Sequence, residues 1–185
     1  MTEEAKMKMK CEPVIDLGRE ITEQMNDLLL ENTRIYLANT LNRLMIIELT
    51  EFLGYEKSAR SAQRNARNGF YRRPLETPAG LIEVKIPRDR QGLFTPSMFP
   101  KYSRENDKVG YLAYDLCQAG LGKMDMNILA QKHFGISYSE KARSRMTDAV
   151  SEEIQNYRDR LLSAVPEVQF DTLREHGMEI FREYA

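Results

Sequence analysis

From Leu17 to Leu30 the apolar residues Leu17, Ile21, Met25, Leu28 and Leu29 recur three or four positions apart, the spacing of an amphipathic helix. A second stripe, Ile35, Leu41, Leu44, Met45, Glu48, Leu49 and Phe52, apolar but for Glu48, begins near Thr33 and stops at Gly54, a residue suited to the left-handed position after a helix. The pattern predicts a helix pair able to fold back as a hairpin, behind a frayed lead-in over 2–13. These stripes are more apolar than one small hairpin needs. That leaves two readings open, burial in the chain's own core or a homodimer formed through the N-terminal helices.

The period then changes. Lys57 to Asn68 is rich in Arg, Ser, Ala and Asn with almost no large apolar residue, so an extended or weakly helical basic arm is expected. Gly69–Thr77 and Leu81–Pro87 read as strands, and Thr77-Pro78-Ala79-Gly80 puts Pro and Gly where a tight turn uses them, so the segment is a β-hairpin. Phe70 and Tyr71 are expected to pack in the core rather than to stack on unpaired bases. Arg88 to Lys101 reads as an irregular connection pinned by Phe94 and Phe99. Helices resume over Glu105–Ala119 and over Met124–Phe134, the latter closed by Gly135. A third runs from the Ser137-Tyr138-Ser139-Glu140 capping pattern to Ala164 on a stripe of Ala142, Met146, Val150, Ile154, Tyr157 and Leu161. The expected class is α+β, mostly helical: a helical packing or oligomerisation region over 1–56, a basic arm with hairpin and connection over 57–102, a helix-turn-helix-like three-helix part over 103–164, and a tail or short helix over 165–185.

Composition narrows this picture. With 185 residues, 42% hydrophobic and 30% charged, the chain can build a core and is too short for a large multidomain enzyme. No apolar run approaches the ~18–20 residues of a membrane helix, and Met1–Lys10 is too charged for a secretory signal, so a cytoplasmic, nucleoid-associated protein with no membrane contact is expected. Cys11, Cys117, His133 and His176 fall at no metal-ligand spacing. Cys117 reads as helix packing and His133 as packing or solvated. No metal, no cofactor and no catalytic cluster is expected.

The net charge of −1 hides an asymmetry. Between Lys57 and Arg90, nine cations face Glu76, Glu83 and Asp89, a balance of +6 that leaves −7 for the rest. Arg60, Arg64 and Arg67 recur at helical spacing, and with Arg72, Arg73, Lys85, Arg88 and Arg90 they suit a ligand of dense negative charge, clamping phosphates without reading sequence. The short helix, Gly-Ile turn and capped longer helix share the layout of a helix-turn-helix. If Met146, Val150 and Ile154 face inward, a turn of about 100° per residue sends Lys141, Ser144 and Arg145 outward. With the capping Ser139 they are the candidate contacts to double-stranded DNA. A solvated bundle face, a flexible Arg-rich loop and a protein-interaction or oligomerisation module with a regulatory role are the alternatives.

Four blocks carry a resemblance: Glu48-Leu49-Thr50-Glu51-Phe52-Leu53-Gly54-Tyr55-Glu56-Lys57, Arg64-Asn65-Ala66-Arg67-Asn68-Gly69-Phe70-Tyr71-Arg72-Arg73, Gly80 to Arg90, and Phe94 to Tyr102. In this order, and continuing through Gly135-Ile136 and Ser139, the stretch from Leu41 to Leu162 resembles the N-terminal half of mutator-type bacterial insertion-sequence transposases. The resemblance implies a region that binds terminal repeats ahead of an RNase H-like domain with an Asp-Asp-Glu metal triad. That domain needs well over a hundred further residues, so strand transfer by this chain is not expected. Asp171, after the alternation Val165 to Phe170, is the one candidate vestige of the triad, but the following residues read as a helix.

Overall fold

The structure, a computed structural model, describes residues 3–57, 59, 65–99, 112, 115, 128, 131–132, 135 and 137–164, with side chains of the first helix from residue 18 onward. It is α+β and mostly helical, in the order α1 (Glu3–Leu53), β1 (Arg67–Thr77), β2 (Gly80–Asp89) and α2 (Glu140–Ala164).

The expected pair of N-terminal helices is one helix. Through Glu31-Asn32-Thr33 there is no Gly or Pro to interrupt the backbone ladder, and Asn32 Nδ2 donates to the carbonyl of Leu28 at 2.9 Å, an i−4 bond compatible with the helix. The place expected to turn is instead where the chain divides into compact units, Met1–Asn32 with Asp159–Ala185, and Thr33–Arg158. In the first unit Ile21 is buried, and Arg160 Nε donates to Asn32 Oδ1 at 3.3 Å.

The second unit holds the hairpin. β1 and β2 pair antiparallel, with Leu75 opposite Ile82, Arg73 opposite Val84 and Tyr71 opposite Ile86. The turn forms where Pro78 and Ala79 place it. Thr77 Oγ1 donates to the carbonyl of Gly80 at 2.7 Å, and Gly80 has φ +102°, a region open to glycine. Arg34 Nε from α1 donates to the carbonyl of Ala79 at 2.7 Å and ties down this end.

Leu75, Ile82, Val84 and Ile86 are buried against Leu37, Leu41, Leu44 and Met45 of α1, with Met98, Phe99, Leu112 and, from α2, Met146 and Val150 completing the core. Leu41, Leu44 and Met45 therefore face the chain's own hairpin, the first of the two readings of this stripe, while Phe52 stays exposed with its ring 5.4 Å from that of Phe94. Asn42 Oδ1 accepts the backbone N–H of Lys85 at 2.7 Å and satisfies a donor of β2. α2 is held to α1 by Arg43, which reaches Glu152 at 2.6 Å and Glu153 at 3.0 Å. α1 ends as expected, at Gly54 with φ +73° and its N–H on the carbonyl of Thr50.

Phe94 and Phe99 are buried, as the aromatic-anchored connection requires. Of the two helices expected before α2, Leu112, Asp115, Ile128, Gln131 and Lys132 are helical, Lys132 pairs with Asp115 at 2.6 Å, and Gly135 has φ +66°. The rest of both, and with them the turn that would define a helix-turn-helix, lie outside the described residues, as do Cys117, His133, His176 and the tail with Asp171.

Leu41 is fully buried, so Leu41→Ala is expected to cost ~2–5 kcal/mol in urea unfolding. Gly80→Ala, forced into a positive φ with Arg34 only 3.2 Å from the new methyl, is expected to cost roughly 1–2 kcal/mol by the same measurement.

Candidate nucleic-acid interface

Alternation along the strands gives the hairpin two chemically different faces. Tyr71, Arg73 and Leu75 share the inner face with Ile82, Val84, Ile86 and Arg88, whereas Phe70, Arg72, Glu83 and Lys85 share the outer one. Apolar residues cover the inner face only as far as Ile86. Beyond it, towards the open end of the hairpin, the side chains are cationic and aromatic.

This overturns the expected burial of Phe70 and Tyr71, which are 54% and 44% exposed. A strand position alone does not bury a ring, which also needs a neighbour packed over it. Each ring lies near a cation instead: Lys85 is 5.6 Å from the Phe70 centroid and Arg88 6.0 Å from that of Tyr71. Arg73 lies 5.4 Å over the buried ring of Phe99.

The cations named from sequence have different fates. Arg60 and Arg64 lie outside the described residues. Arg67 is structural: half-buried, it lies over the Tyr55 ring at 4.9 Å and donates from Nη2 to the carbonyl of Tyr55 and to Thr50 Oγ1, at 2.8 and 3.1 Å. A guanidinium tied to the end of α1 in this way is not presented for a phosphate. Arg72 pairs with Glu83 across the strands at 3.2 Å, an exposed contact that solvent weakens. Lys85, Arg88 and Arg90 are exposed, and none of them pairs with a carboxylate among the described residues.

Asp89, which the sequence's charge balance sets against the cations, is withdrawn from the surface. It is buried, accepting Asn65 Nδ2 at 2.7 Å and the backbone N–H groups of Leu93 and Phe94 at 3.1 and 3.0 Å. Burial disfavours its charge, but these hydrogen bonds prevail and hold its carboxyl below the ordinary 3.8. Asn65 Oδ1 accepts from Ala66 and Gln91, so the pair shapes the bend that carries Arg90. The signal was present in Asp89-Arg90-Gln91-Gly92, since an Asp shortly before a Gly often accepts backbone N–H groups in a turn.

α2 presents Ser139, Lys141 and Ser144 exposed, with Ala142, Met146 and Val150 inward, as its period predicts. Ser139 is the cap, its Oγ accepting from the N–H of Ala142 at 3.2 Å. The carboxylate that a capping box takes from the helix itself comes here from α1: Glu51 Oε1 accepts the N–H of Ser139 at 3.2 Å. Arg145 pairs with Glu56 at 2.5 Å, so the segment just after α1 supplies a counter-charge to the expected reading face. Just ahead of the cap, Tyr138 donates to Glu48, which also accepts the N–H of Ser97 at 3.0 Å. Burial raises the pKa of Glu48 above its ordinary 4.5, and the nearby charge of Glu51 adds to this against the hydrogen bonds.

The family described as "Transposase, Mutator family" matches residues 6–177. The chain is 33% identical over 139 residues to the transposase for insertion sequence element IS905 of Lactococcus lactis subsp. lactis (strain IL1403), covering 74% of this chain and 36% of that one. It is 34% identical over 143 residues to the transposase for IS1201 of Lactobacillus helveticus, covering 76% and 38%. With the transposase for IS256 in transposon Tn4001 of Staphylococcus aureus it shares 28% over 128 residues, covering 69% and 33%. The chain spans about a third of the length of these relatives.

The buried carboxyls of Asp89 and Glu48 predict opposite pH responses. The stability due to Asp89 is present above its ordinary pKa of 3.8 and lost as pH falls through the lower folded value, so Asp89→Asn is expected to flatten the acid limb of urea stability against pH. That due to Glu48 is full below 4.5 and lost as pH rises through the raised folded value, so Glu48→Gln is expected to remove a loss that sets in as pH rises above 4.5.

Proposed function

Because the chain belongs to the mutator family of transposases, we propose that it binds double-stranded DNA, with the terminal repeat of a mobile element as its specific target. The observation that carries this reading is the cationic part of the hairpin, where Lys85, Arg88 and Arg90 stand exposed, the first two beside aromatic rings, while the neighbouring Asp89 is consumed inside the fold. Cations stacked on rings keep their charge while their stems are positioned, which suits contacts to a phosphate backbone. Arg72 joins them by exchanging Glu83 for a phosphate.

In this reading the hairpin sets affinity and register, and the first turns of α2 supply sequence preference through Ser139, Lys141, Ser144 and Arg145. Arg145 exchanges Glu56 for DNA on binding. A homodimer matches the two-fold repetition of DNA half-sites, and the exposed Ile35, Ile46 and Phe52 of α1 offer apolar surface for it. No cleavage step is assigned to the described residues. Among them no three His, Cys, Asp or Glu side chains come together as a metal triad would require.

Titration of duplex DNA against salt tests the proposal, since log affinity falls with log salt at a slope of about −0.9 per neutralised phosphate. Replacing Arg72, Lys85, Arg88 and Arg90 together by Gln is expected to weaken binding to every duplex and to reduce that slope, whereas Arg145→Ala relaxes sequence preference. A quadruple variant with the parent's affinity and slope overturns the reading.

A further inference from the structure

The inner face of the hairpin runs past the core into a groove of about 530 Å³, closed on its other side by the bend after β2. Its volume falls within the ~300–1,000 Å³ of sites for small organic ligands. Its lining includes Tyr71, Arg73, Arg88 and Arg90, one open ring among three guanidinium groups, with the buried rings of Phe94 and Phe99 beneath.

We infer that this groove holds one unstacked nucleotide of a DNA strand, its base on the Tyr71 ring and its phosphate on Arg88 and Arg90. The inference rests on the reading of the chain as a DNA binder and goes beyond it in the state of the DNA. Within a duplex the faces of the bases are covered by their neighbours, so an aromatic ring in a basic groove finds its complement only in a base that has left the stack.

Three observations support this occupant. Tyr71 lies in register with Ile86 on the inner face yet is 44% exposed, so its ring is presented to the groove rather than absorbed by the core. Arg88 lies 6.0 Å from the centre of that ring, so a phosphate held by its guanidinium brings the attached base within reach of the ring. Asp89 also lines the groove, but its carboxylate is engaged by Asn65, Leu93 and Phe94 and turned into the fold. Phe99, buried under Arg73, belongs to the floor.

The test uses the full chain with a fluorescently labelled oligo(dT) of about eight nucleotides, the length a single-strand site spans, and a blunt duplex in parallel. The parent is expected to bind both. Tyr71→Ala is expected to weaken oligo(dT) binding by roughly 5- to 150-fold, the worth of one stacked base, and duplex binding by much less, while Tyr71→Phe retains both. Arg88→Gln is expected to lower the salt slope for oligo(dT) by about one unit of charge. Oligo(dT) binding that is indifferent to Tyr71→Ala overturns the inference, as does a chain that binds duplex but no single strand; in both cases duplex recognition stands. Tyr71-dependent binding of oligo(dT) without duplex binding supports the groove and removes the duplex reading, and failure to bind either removes both.

Discussion

A two-stranded hairpin alone in water is marginal, and this one persists because α1 covers half of it. Leu37, Leu41, Leu44 and Met45 bury the inner face at Leu75, Ile82, Val84 and Ile86, Arg34 holds the turn, and Asn42 satisfies a backbone donor of β2. The rest of the second unit builds on that contact. α2 adds Met146 and Val150 to the same core and is clamped to α1 through Arg43, and the connection after β2 adds Met98 and Phe99. Because the covering stops at Ile86, the distal part of the hairpin is left with its charges and rings in solvent.

The electrostatics follow from where that boundary falls. Cations over the core's edge are ordered by aromatic rings, as with Arg73 on Phe99, or by the end of α1, as with Arg67 on Tyr55. Lys85 on the outer face, and Arg88 and Arg90 past Ile86, keep their charge available. Carboxylates are sorted in the opposite direction: Asp89 and Glu48 are drawn inward to accept backbone and tyrosine donors, where each fixes a loop, while Glu51 and Glu56 at the end of α1 face the start of α2. The family relationship gives this arrangement its context, and the geometry says which of the many arginines remain available to a polyanion.

Much of the fold was legible from residue pattern. The hairpin, its turn, the stop at Gly54, the anchoring of Phe94 and Phe99, and α2 with its inward stripe all follow local rules of period and punctuation that the chain obeys. The helix pair did not: a change of stripe at Thr33 read as a turn, but without a glycine or proline the backbone continues, and only the packing partner changes there. Phe70 and Tyr71 misled for a related reason. Strand propensity says that a ring fits a pleated surface, and not whether anything lies over it.

The sequence by itself therefore determined the elements, the local excess of positive charge and the family, since each depends on neighbours a few residues apart or on the order of short blocks. Only the tertiary structure decided which charges count. Arg67 and Asp89 lie close to Arg90 in sequence or register and look like surface charges, yet one is consumed by the end of α1 and the other by Asn65 and two backbone amides. Burial and pairing of a charge are set by groups far away along the chain, because the cost of removing it from water and the partners that offset that cost exist only once the core has closed.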